Sequence, residues 1–337
     1  MGANGMSSEA ARRRTAILLN DCSRPFHLGT VLVAQNLQHG LAAVGIDLIR
    51  SYPRGYQRWD AEFDRTLEDV DVVIINGEGT CHHDAPDALR CFEGARRASE
   101  HHKPVVLLNT VWQDNSVLNG ALGWLDRVFV RESASAAEVL RSGGTAAVVP
   151  DLSLAAPIEA GPESKHDLPF VTDSVDYETS LRLGELAVSR RWPFRPLRRW
   201  TRGIMVRHPH RALAIALGCR GRLRRLVPGH LPEIGRSLAV ITGRFHGICL
   251  ALLSGRPFIG VTSNTHKNGA IAADIGLEEF VLDERSLTPD RVDELLDRVR
   301  DRGCQEEIRR KLAAYLVQAR AAQQAMFDEI RSLAALA

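Results

Sequence analysis

Residues 241–277 read ITGRFHGICLALLSGRPFIGVTSNTHKNGAIAADIGL. A short apolar run ends at GRFHG and an apolar segment of helical length follows at once, which is typical of a β-strand that leads into an α-helix. In open α/β sheets, ligands bind beyond the carboxyl ends of the strands, where helix N-termini present free N–H groups. The stretch therefore predicts an α/β sheet with a ligand site at the GRFHG turn.

Two cationic loops in this stretch favour an anionic ligand. The first loop holds Arg244, whose planar donors suit a carboxylate or phosphate, and His246, which exchanges a proton near neutral pH. The second loop follows the next strand and ends at Lys267, where another helix begins. The candidate anion-binding residues of the two loops are Thr242, Gly243, Arg244, Asn264, Thr265 and Lys267.

Strand and helix patterns alternate along the whole chain. Continuous apolar runs, typical of strands buried on both faces, occur at 15–20, 71–76, 104–110, 127–131 and 146–150 and again near 168–172, 238–242 and 257–261. Helical patterns occur at 30–44, 85–101, 133–142, 177–190, 245–254, 267–275 and 290–301. We expect two Rossmann-like domains, 1–155 and 156–303, that face each other across a crevice, and a final helix in 304–337.

Glycine-bearing turns in the first predicted domain provide the opposite wall of the crevice. Gly77, Glu78 and Gly79 follow the strand at 71–76, and Gly29 lies where the first helix begins. The segment 20–23 closes the first strand in the same way. A purely structural interpretation stays open for each of these features. The turns would only connect a strand to a helix, Arg244 would form an ion pair, His246 would be a partly buried histidine, and Lys267 would also be structural.

The cysteines and histidines do not form a metal-binding pattern. Cys81, His82 and His83 are consecutive, and neighbouring residues rarely converge on one ion with good geometry. The six cysteines show no C-x-x-C spacing, which argues against a zinc ribbon or a disulfide framework. We therefore expect no metal site and free thiols.

The composition is that of a globular protein that does not cross a membrane. Of 337 residues, 45% are hydrophobic and 25% are charged, and no run approaches the roughly 18 apolar residues of a membrane span. The N-terminal segment lacks the apolar core of a signal peptide, so the cytoplasm is the expected location.

A basic segment interrupts an otherwise balanced charge distribution. Between Glu185 and Glu233 there is no acidic residue, but there are twelve arginines: Arg190, Arg191, Arg195, Arg198, Arg199, Arg202, Arg207, Arg211, Arg220, Arg222, Arg224 and Arg225. The segment is either a solvated face or a surface for anionic lipid or for a lipid-linked acceptor. Nucleic acid is the least favoured partner, because no nucleic-acid motif accompanies the charge.

Four motifs together resemble the polysaccharide pyruvyl transferase family. TGRFHG at 242–247, followed by ALLSGRPFIG and SNTHKNGAIAADIGL, is similar to its R-x-H region, and VFVRESASAAEVLRSGG followed by VVPDLS is similar to its R-[DE]-x-x-S segment. VVIINGEGT and HLGT are similar to its glycine-bearing turns. Phe245 stands where the family more often has leucine, and the segment 190–225 has no counterpart in the family.

The resemblance implies a glycosyltransferase-B-like fold, in which a final helix packs back across the first domain. It also implies transfer of pyruvate from phosphoenolpyruvate onto two sugar hydroxyls of a cell-surface polysaccharide or its lipid-linked precursor. The product of this transfer is a cyclic ketal. Arg244 and His246 match the R-x-H motif, as donor-gripping residue and acid/base, and Arg131 matches a second donor-binding arginine. Protonation of the donor's methylene carbon by His246, with a pKa near neutrality, requires no cofactor and no metal.

Two other functions remain open at this stage. A glycosyltransferase of the same fold would use a nucleotide-activated sugar, and an acidic sugar would offer Arg244 a carboxylate. A non-catalytic binding protein is less favoured, because Arg244, His246 and Lys267 are all present.

Overall fold

A computed structural model describes residues 13–23, 28–155, 168–197, 206–218 and 231–336. Within these residues, two separate parallel β-sheets, each flanked by helices, form two Rossmann-like halves. The fold class expected from the alternating pattern is confirmed.

The first sheet contains six parallel strands among the described residues, in the order β2-β1-β3-β4-β5-β6. These strands are β1 (Arg14–Asp21), β2 (Ile46–Pro53), β3 (Val72–Asn76), β4 (Val105–Thr110), β5 (Arg127–Val130) and β6 (Ala147–Val148). The helices of this half are α1 (Leu28–Ala43), α2 (Ala61–Glu68), α3 (Pro86–Glu100) and α4 (Ser133–Arg141). The central strands β3 and β4 are buried along their whole length, because helices cover both faces of the sheet.

The second sheet has the order β10-β9-β8-β7 within the described part of the chain. Its strands are β7 (Phe170–Ser174), β8 (Val240–Gly243), β9 (Phe258–Val261) and β10 (Val281–Leu282). The remaining helices are α5 (Tyr177–Ser189), α6 (Pro209–Gly218), α7 (Leu231–Gly235), α8 (Phe245–Leu253), α9 (Lys267–Ile275), α10 (Pro289–Arg300) and α11 (Arg302–Ala334). Every residue of α8 is buried, which explains its continuous apolar sequence.

The sequence pattern did not predict the edge elements. Strand β2 is exposed at most of its positions, so its side chains do not form the continuous apolar run by which buried strands are recognised. Helices α2, α6 and α7 and strand β10 were missed as well; α7 and β10 are very short. The bounds 1–155, 156–303 and 304–337 stay a prediction.

Helix α11 spans both halves of the molecule. Leu312 and Tyr315 pack in the core of the second half, whereas Met326, Phe327 and Ile330 pack against the first sheet and α1. The helix begins at Arg302, slightly before the expected residue 304, because the Asp301 side chain accepts a hydrogen bond from the Cys304 N–H and caps it. The expectation that the C-terminal helix packs back on the first domain is confirmed.

Candidate active site

A cavity of about 520 Å³ lies between the two halves, at the carboxyl ends of their strands. The first half lines it with Cys22, Thr30, Arg54, Glu78, Gly79, His82, Asp87 and Arg131. The second half lines it with Val175, Arg244, Phe245, His246, Asn264 and Lys267. The sequence-predicted residues Arg131, Arg244, His246 and Lys267, which are up to 136 positions apart, thus meet in one crevice.

Arg131 follows β5 and is almost completely buried. One guanidinium nitrogen lies 2.9 Å from Asp151 Oδ2, and the guanidinium carbon lies 4.3 Å from the centre of the Phe245 ring. The ring of Phe245 therefore supports the arginine through a cation–π contact, which gives a structural role to the residue that departs from the family's leucine.

Arg244 is the N-cap residue of α8, at the end of β8. Its backbone N–H donates to Thr242 Oγ1 at 3.0 Å, and Thr242 Oγ1 lies 2.6 Å from Thr172 Oγ1. Its guanidinium is paired with Asp173, with 2.6 Å between the charged atoms. Arg244 is thus an ion-pair residue and a cavity residue at once, so one reading does not exclude the other.

Lys267 is the first residue of α9 and reaches the cavity from the end of β9. Its Nζ donates to Asn264 Oδ1 at 2.9 Å. Burial, together with the positive charges of Arg131 and Arg244, lowers the pKa of Lys267 to about 7. The three cationic groups therefore influence one another, and together they offer an anion several hydrogen-bond donors.

His246 faces two carboxylates of the first half. Its Nε2 lies 3.2 Å from Glu78 Oε1 and 3.7 Å from Asp151 Oδ1. The expectation that His246 has a pKa near neutrality is wrong: burial lowers this pKa to about 4, and the charge of Asp151 only partly opposes the effect. Burial raises the pKa of Glu78 to about 8, and the charge of Asp151 adds to this rise. Burial thus disfavours the charged form of both groups.

The remaining predicted site residues lie around the cavity rather than on its wall. A Cβ on Gly29 would lie 2.2 Å from the His246 ring, so this glycine lets α1 approach the imidazole. Gly77 packs against Thr110, and a Cβ on Gly243 would meet Ser174. Thr242 and Thr265 are buried. The donor-binding and crevice-lining roles of these residues stay a prediction.

Several residues in or behind the cavity wall have no role assigned from the sequence. Asp151 contacts both Arg131 and His246, although the sequence showed it only as part of a Pro-Asp pair after a strand. Arg54, which pairs with Asp87 at 2.7 Å, follows the unpredicted strand β2, so no motif indicated it. Glu78 was expected only to line the crevice, and its contact with His246 crosses 168 positions of sequence.

The consecutive residues Cys81, His82 and His83 do not form a metal cluster. In the described part of the chain, no group of three His, Cys, Asp or Glu side chains is arranged to hold a metal ion. His82 lines the cavity, and burial, followed by the charge of Lys267, lowers its pKa to about 4. The expectation that the site needs no metal and no cofactor stays a prediction.

The basic segment is only partly described. Arg190 pairs with Asp293, Arg195 with Glu233, and Arg211 with Glu178 and Glu185. Arg207 lies over the Tyr177 ring at 5.6 Å. The other arginines of this segment, except Arg191, lie outside the described residues: Arg198, Arg199, Arg202, Arg220, Arg222, Arg224 and Arg225. Acidic residues elsewhere in the fold thus neutralise part of the charge excess.

Solved structures show the same two-domain architecture at low identity. The glycotransferase of kitacinnamycin is 13% identical with a TM-score of 0.55, covering 96% of this chain and 99% of that one. A UDP-GlcNAc 2-epimerase from Methanocaldococcus jannaschii is 11% identical with a TM-score of 0.55, covering 84% and 91%. MurG from Acinetobacter baumannii is 12% identical with a TM-score of 0.51, covering 95% and 99%. The fold is therefore glycosyltransferase-B-like.

The sequence comparisons match a much shorter part of the chain than the solved structures do. No curated protein sequence matches this chain. Residues 231–265 match the model of the polysaccharide pyruvyl transferase family, so the resemblance is confirmed over the segment that carries Arg244 and His246.

Proposed function

We propose that this protein transfers pyruvate from phosphoenolpyruvate onto two hydroxyls of a sugar in a cell-surface polysaccharide or its lipid-linked precursor, and forms a ketal. The observation that carries the proposal is the grouping of Arg131, Arg244 and Lys267 around His246 in one cavity between the domains. The family match over residues 231–265 supports the same reaction. Phosphoenolpyruvate is the co-substrate, and the reaction as proposed requires no further cofactor.

The positive groups suit a donor with two anionic groups. Phosphoenolpyruvate carries a phosphate and a carboxylate, and planar guanidinium groups bind both with paired hydrogen bonds. Arg131 and Arg244 would hold these groups, and the negative charge of the bound donor would favour the protonated form of Lys267, which would then add a third positive charge at the start of α9. Asp151 and Asp173 keep the two arginines in place through their ion pairs.

The donor's charge also affects proton transfer by His246. The positive charges of Arg131, Lys267 and Arg244 contribute to the low pKa of His246. A bound donor would neutralise part of this charge and so raise the pKa of the imidazole. His246 would then take part in proton exchange between the acceptor hydroxyl and the donor's methylene carbon, whose protonation makes the neighbouring carbon electrophilic.

Replacement of His246 by alanine tests this assignment. We expect His246→Ala to lower kcat at least about 100-fold, because general acid–base catalysis typically contributes 10²–10⁴-fold. Binding of phosphoenolpyruvate, measured by calorimetry, should change little, because the arginines hold the donor. His39→Ala, at an exposed position of α1, is the matched control. A His246→Ala enzyme with more than about a tenth of the wild-type kcat would refute the role.

A glycosyltransferase is the second candidate function. The solved relatives of this fold include a glycotransferase and MurG, and Arg244 would also suit the carboxylate of an acidic nucleotide sugar. Incubation of protein and acceptor glycans with phosphoenolpyruvate and, separately, with nucleotide sugars distinguishes the two. Release of inorganic phosphate with a pyruvate-sized increase in glycan mass supports the pyruvyl transfer; release of nucleotide supports the alternative.

For the acceptor side, we propose peripheral contact with an anionic membrane at its cytoplasmic face. Within the described residues, no helix is long and apolar enough to cross a bilayer. Support comes from Leu213 and Leu217 of α6, which are 53% and 70% exposed and, four positions apart, lie on one face of the helix. This apolar patch lies in the segment that holds twelve arginines and no acidic residue; Arg190, Arg195 and Arg211 are paired with acidic residues elsewhere, and an anionic lipid surface would complement the remaining positive charge.

Vesicle binding tests the membrane contact. The double variant Leu213→Ser/Leu217→Ser should lose binding to phosphatidylglycerol vesicles but keep turnover of a short soluble acceptor. Leu140→Ser/Val317→Ser is a matched control, because both side chains are 69% exposed elsewhere. Neutralising Arg198, Arg199, Arg222 and Arg224, which lie outside the described residues, should also weaken binding and raise KM for a lipid-linked acceptor. A wild-type protein that does not bind these vesicles would contradict the proposal.

A further inference from the structure

Glu78 is a buried carboxyl group that faces the cavity without good hydrogen bonds. It follows β3 in the first half, and only 4% of its surface is exposed. Among the described residues, neither carboxylate oxygen is paired in a well-formed hydrogen bond, and Oε1 lies 3.2 Å from His246 Nε2 of the second half. A buried carboxylate in such surroundings is costly, so the carboxyl holds a proton that a polar ligand in the cavity can accept.

We propose that Glu78 is a second catalytic proton carrier, which shares a single proton with His246 across the domain interface. The inference rests on the proposed pyruvyl transfer. Its basis is the placement of both side chains on the wall of the same cavity, at hydrogen-bonding distance from each other. A reaction that protonates a carbon and deprotonates a hydroxyl needs one acid and one base at the same time, and this pair supplies both.

The proton movements of the transfer then balance. The Glu78 carboxyl gives its proton to the methylene carbon of phosphoenolpyruvate, which becomes a methyl group, while the first acceptor hydroxyl forms a C–O bond to the neighbouring carbon and gives its proton to His246. The bond from that carbon to the phosphate oxygen breaks, and the electron pair leaves with the phosphate. The second hydroxyl closes the ketal, and its proton leaves with the phosphate. Return of the proton from His246 to Glu78 restores the pair.

Charged groups from both halves surround the pair. Asp151, Arg131 and Arg54 face Glu78, and Asp151, Arg131, Lys267 and Arg244 face His246. Burial and Asp151 raise the pKa of Glu78 to about 8, so the carboxyl is protonated at neutral pH and loses its proton above pH 8. The pair therefore holds its catalytic proton on the acidic side of pH 8.

The pH profile of kcat/KM for phosphoenolpyruvate tests the proposal. In the wild type, kcat/KM should fall as the pH rises through about 8, because the free enzyme loses the shared proton. Glu78→Gln should lower kcat/KM at pH 7 about 100-fold or more and should abolish this alkaline limb near pH 8. The separate fall that comes from loss of the Lys267 charge near pH 7 should remain in the variant. Glu78→Asp, which keeps an acidic group but withdraws it from His246, should recover part of the rate and of the limb.

Asp87→Asn is the control, because it removes a different carboxylate from the wall of the same cavity. The kcat/KM of Asp87→Asn should still fall near pH 8, whether or not its value at pH 7 changes. A wild-type profile in Glu78→Gln would overturn the proposal, provided that circular dichroism shows a folded variant.

A second measurement does not depend on the reaction. Carbon-13 NMR of protein labelled at the glutamate carboxyls should show one group that titrates near pH 8 and disappears in Glu78→Gln but not in Asp87→Asn. If this titration is present but phosphoenolpyruvate is not a substrate, the proposed function fails while the shared proton stands. If phosphoenolpyruvate is a substrate and no glutamate titrates near pH 8, only the shared-proton proposal fails.

Discussion

At the scale of single residues, Arg244 both pairs with Asp173 and faces the cavity. Its guanidinium is held by Asp173 at 2.6 Å, which leaves the other nitrogens of the planar group for the cavity. Lysine offers the same charge but no planar fork, so it cannot hold Asp173 and a second anion with paired hydrogen bonds. The chemical shape of the side chain, rather than its charge, should therefore matter.

We expect Arg244→Lys to lower kcat/KM for phosphoenolpyruvate about 100-fold, the typical effect of removing one aligned donor from a charge-stabilising site. Arg141→Lys, at a side chain that is 70% exposed, should be neutral and serves as the control. Steady-state kinetics of both variants provide the measurement. Near-normal kcat/KM in Arg244→Lys would show that the position contributes only a diffuse positive charge.

The raised pKa of Glu78 leads us to expect that the free energy of unfolding depends on pH. The pKa of its carboxyl is raised to about 8 in the folded protein, so the native state binds this proton more tightly than the unfolded state. Its contribution to the free energy of unfolding is therefore fully present below the unfolded pKa of about 4.3 and is lost as the pH rises through 8.

In Glu78→Gln, this part of the pH dependence should disappear. The variant should gain stability relative to the wild type by roughly 3–5 kcal/mol between pH 4 and pH 9, because each pKa unit corresponds to about 1.4 kcal/mol. Urea unfolding at a series of pH values measures the difference, with Asp87→Asn as the control. A difference that does not change with pH would contradict the raised pKa.

At the scale of elements, the contact between α1 and α11 joins the end of the chain to the first domain. A Cβ on Gly40 of α1 would lie 2.2 Å from the Phe327 ring of α11, so the missing side chain provides the space that the ring fills. Phe327 is only 5% exposed and packs in the core beneath the first sheet. The contact therefore stabilises the packing of the last helix.

Phe327→Ala should cost about 3–5 kcal/mol of folding free energy, the usual range for removing a buried phenylalanine. Val317→Ala, on the same helix at a 69% exposed position, should change stability by less than about 0.5 kcal/mol. Gly40→Ala should destabilise the wild type but not the Phe327→Ala protein, because the alanine then fills the vacated space. Denaturant unfolding of the four variants tests this coupling, and equal effects of Gly40→Ala in both backgrounds would exclude it.

At the scale of the whole molecule, polar contacts between the domains close the crevice. The backbone N–H of Ser133, at the start of α4, donates to Asp274 Oδ2 of α9 at 3.0 Å. Nearby, the backbone N–H of His266 donates to Gln113 Oε1 at 2.8 Å, and its ring Nε2 lies 3.3 Å from Glu132 Oε1. Because the donor groups come from both domains, these contacts fix the distances within the cavity.

Asp274→Ala should therefore raise KM for phosphoenolpyruvate about three- to tenfold with a smaller change in kcat, since a partly exposed hydrogen bond to a charged group contributes on the order of 1 kcal/mol. Asp297→Ala, in an exposed pair with Arg300 on α10, is the control. Small-angle scattering would report a wider molecule only in the first variant. An unchanged KM together with an unchanged scattering curve would show that the contact does not hold the domains.

The sequence by itself determined the order of the buried elements and the main cationic residues. Strands such as β3 and β4 are recognisable because burial on both faces demands an unbroken apolar run, whereas the exposed edge strand β2 leaves no such pattern. Arg244, His246 and Lys267 were identifiable because they follow strands that end at one edge of a sheet, and parallel strands place all such loops on the same side.

Only the tertiary structure decided which residues face one another across the two domains. The pairing of His246 with Glu78, and of Arg131 with Phe245, depends on how two separately wound sheets are oriented, and no local propensity encodes that orientation. The low pKa of His246 was unpredictable for the same reason: burial and surrounding charges set a pKa, and both are known only when the domains are in place. The sequence determined the types of groups available for chemistry, and the packing of the domains decided which of them holds the proton.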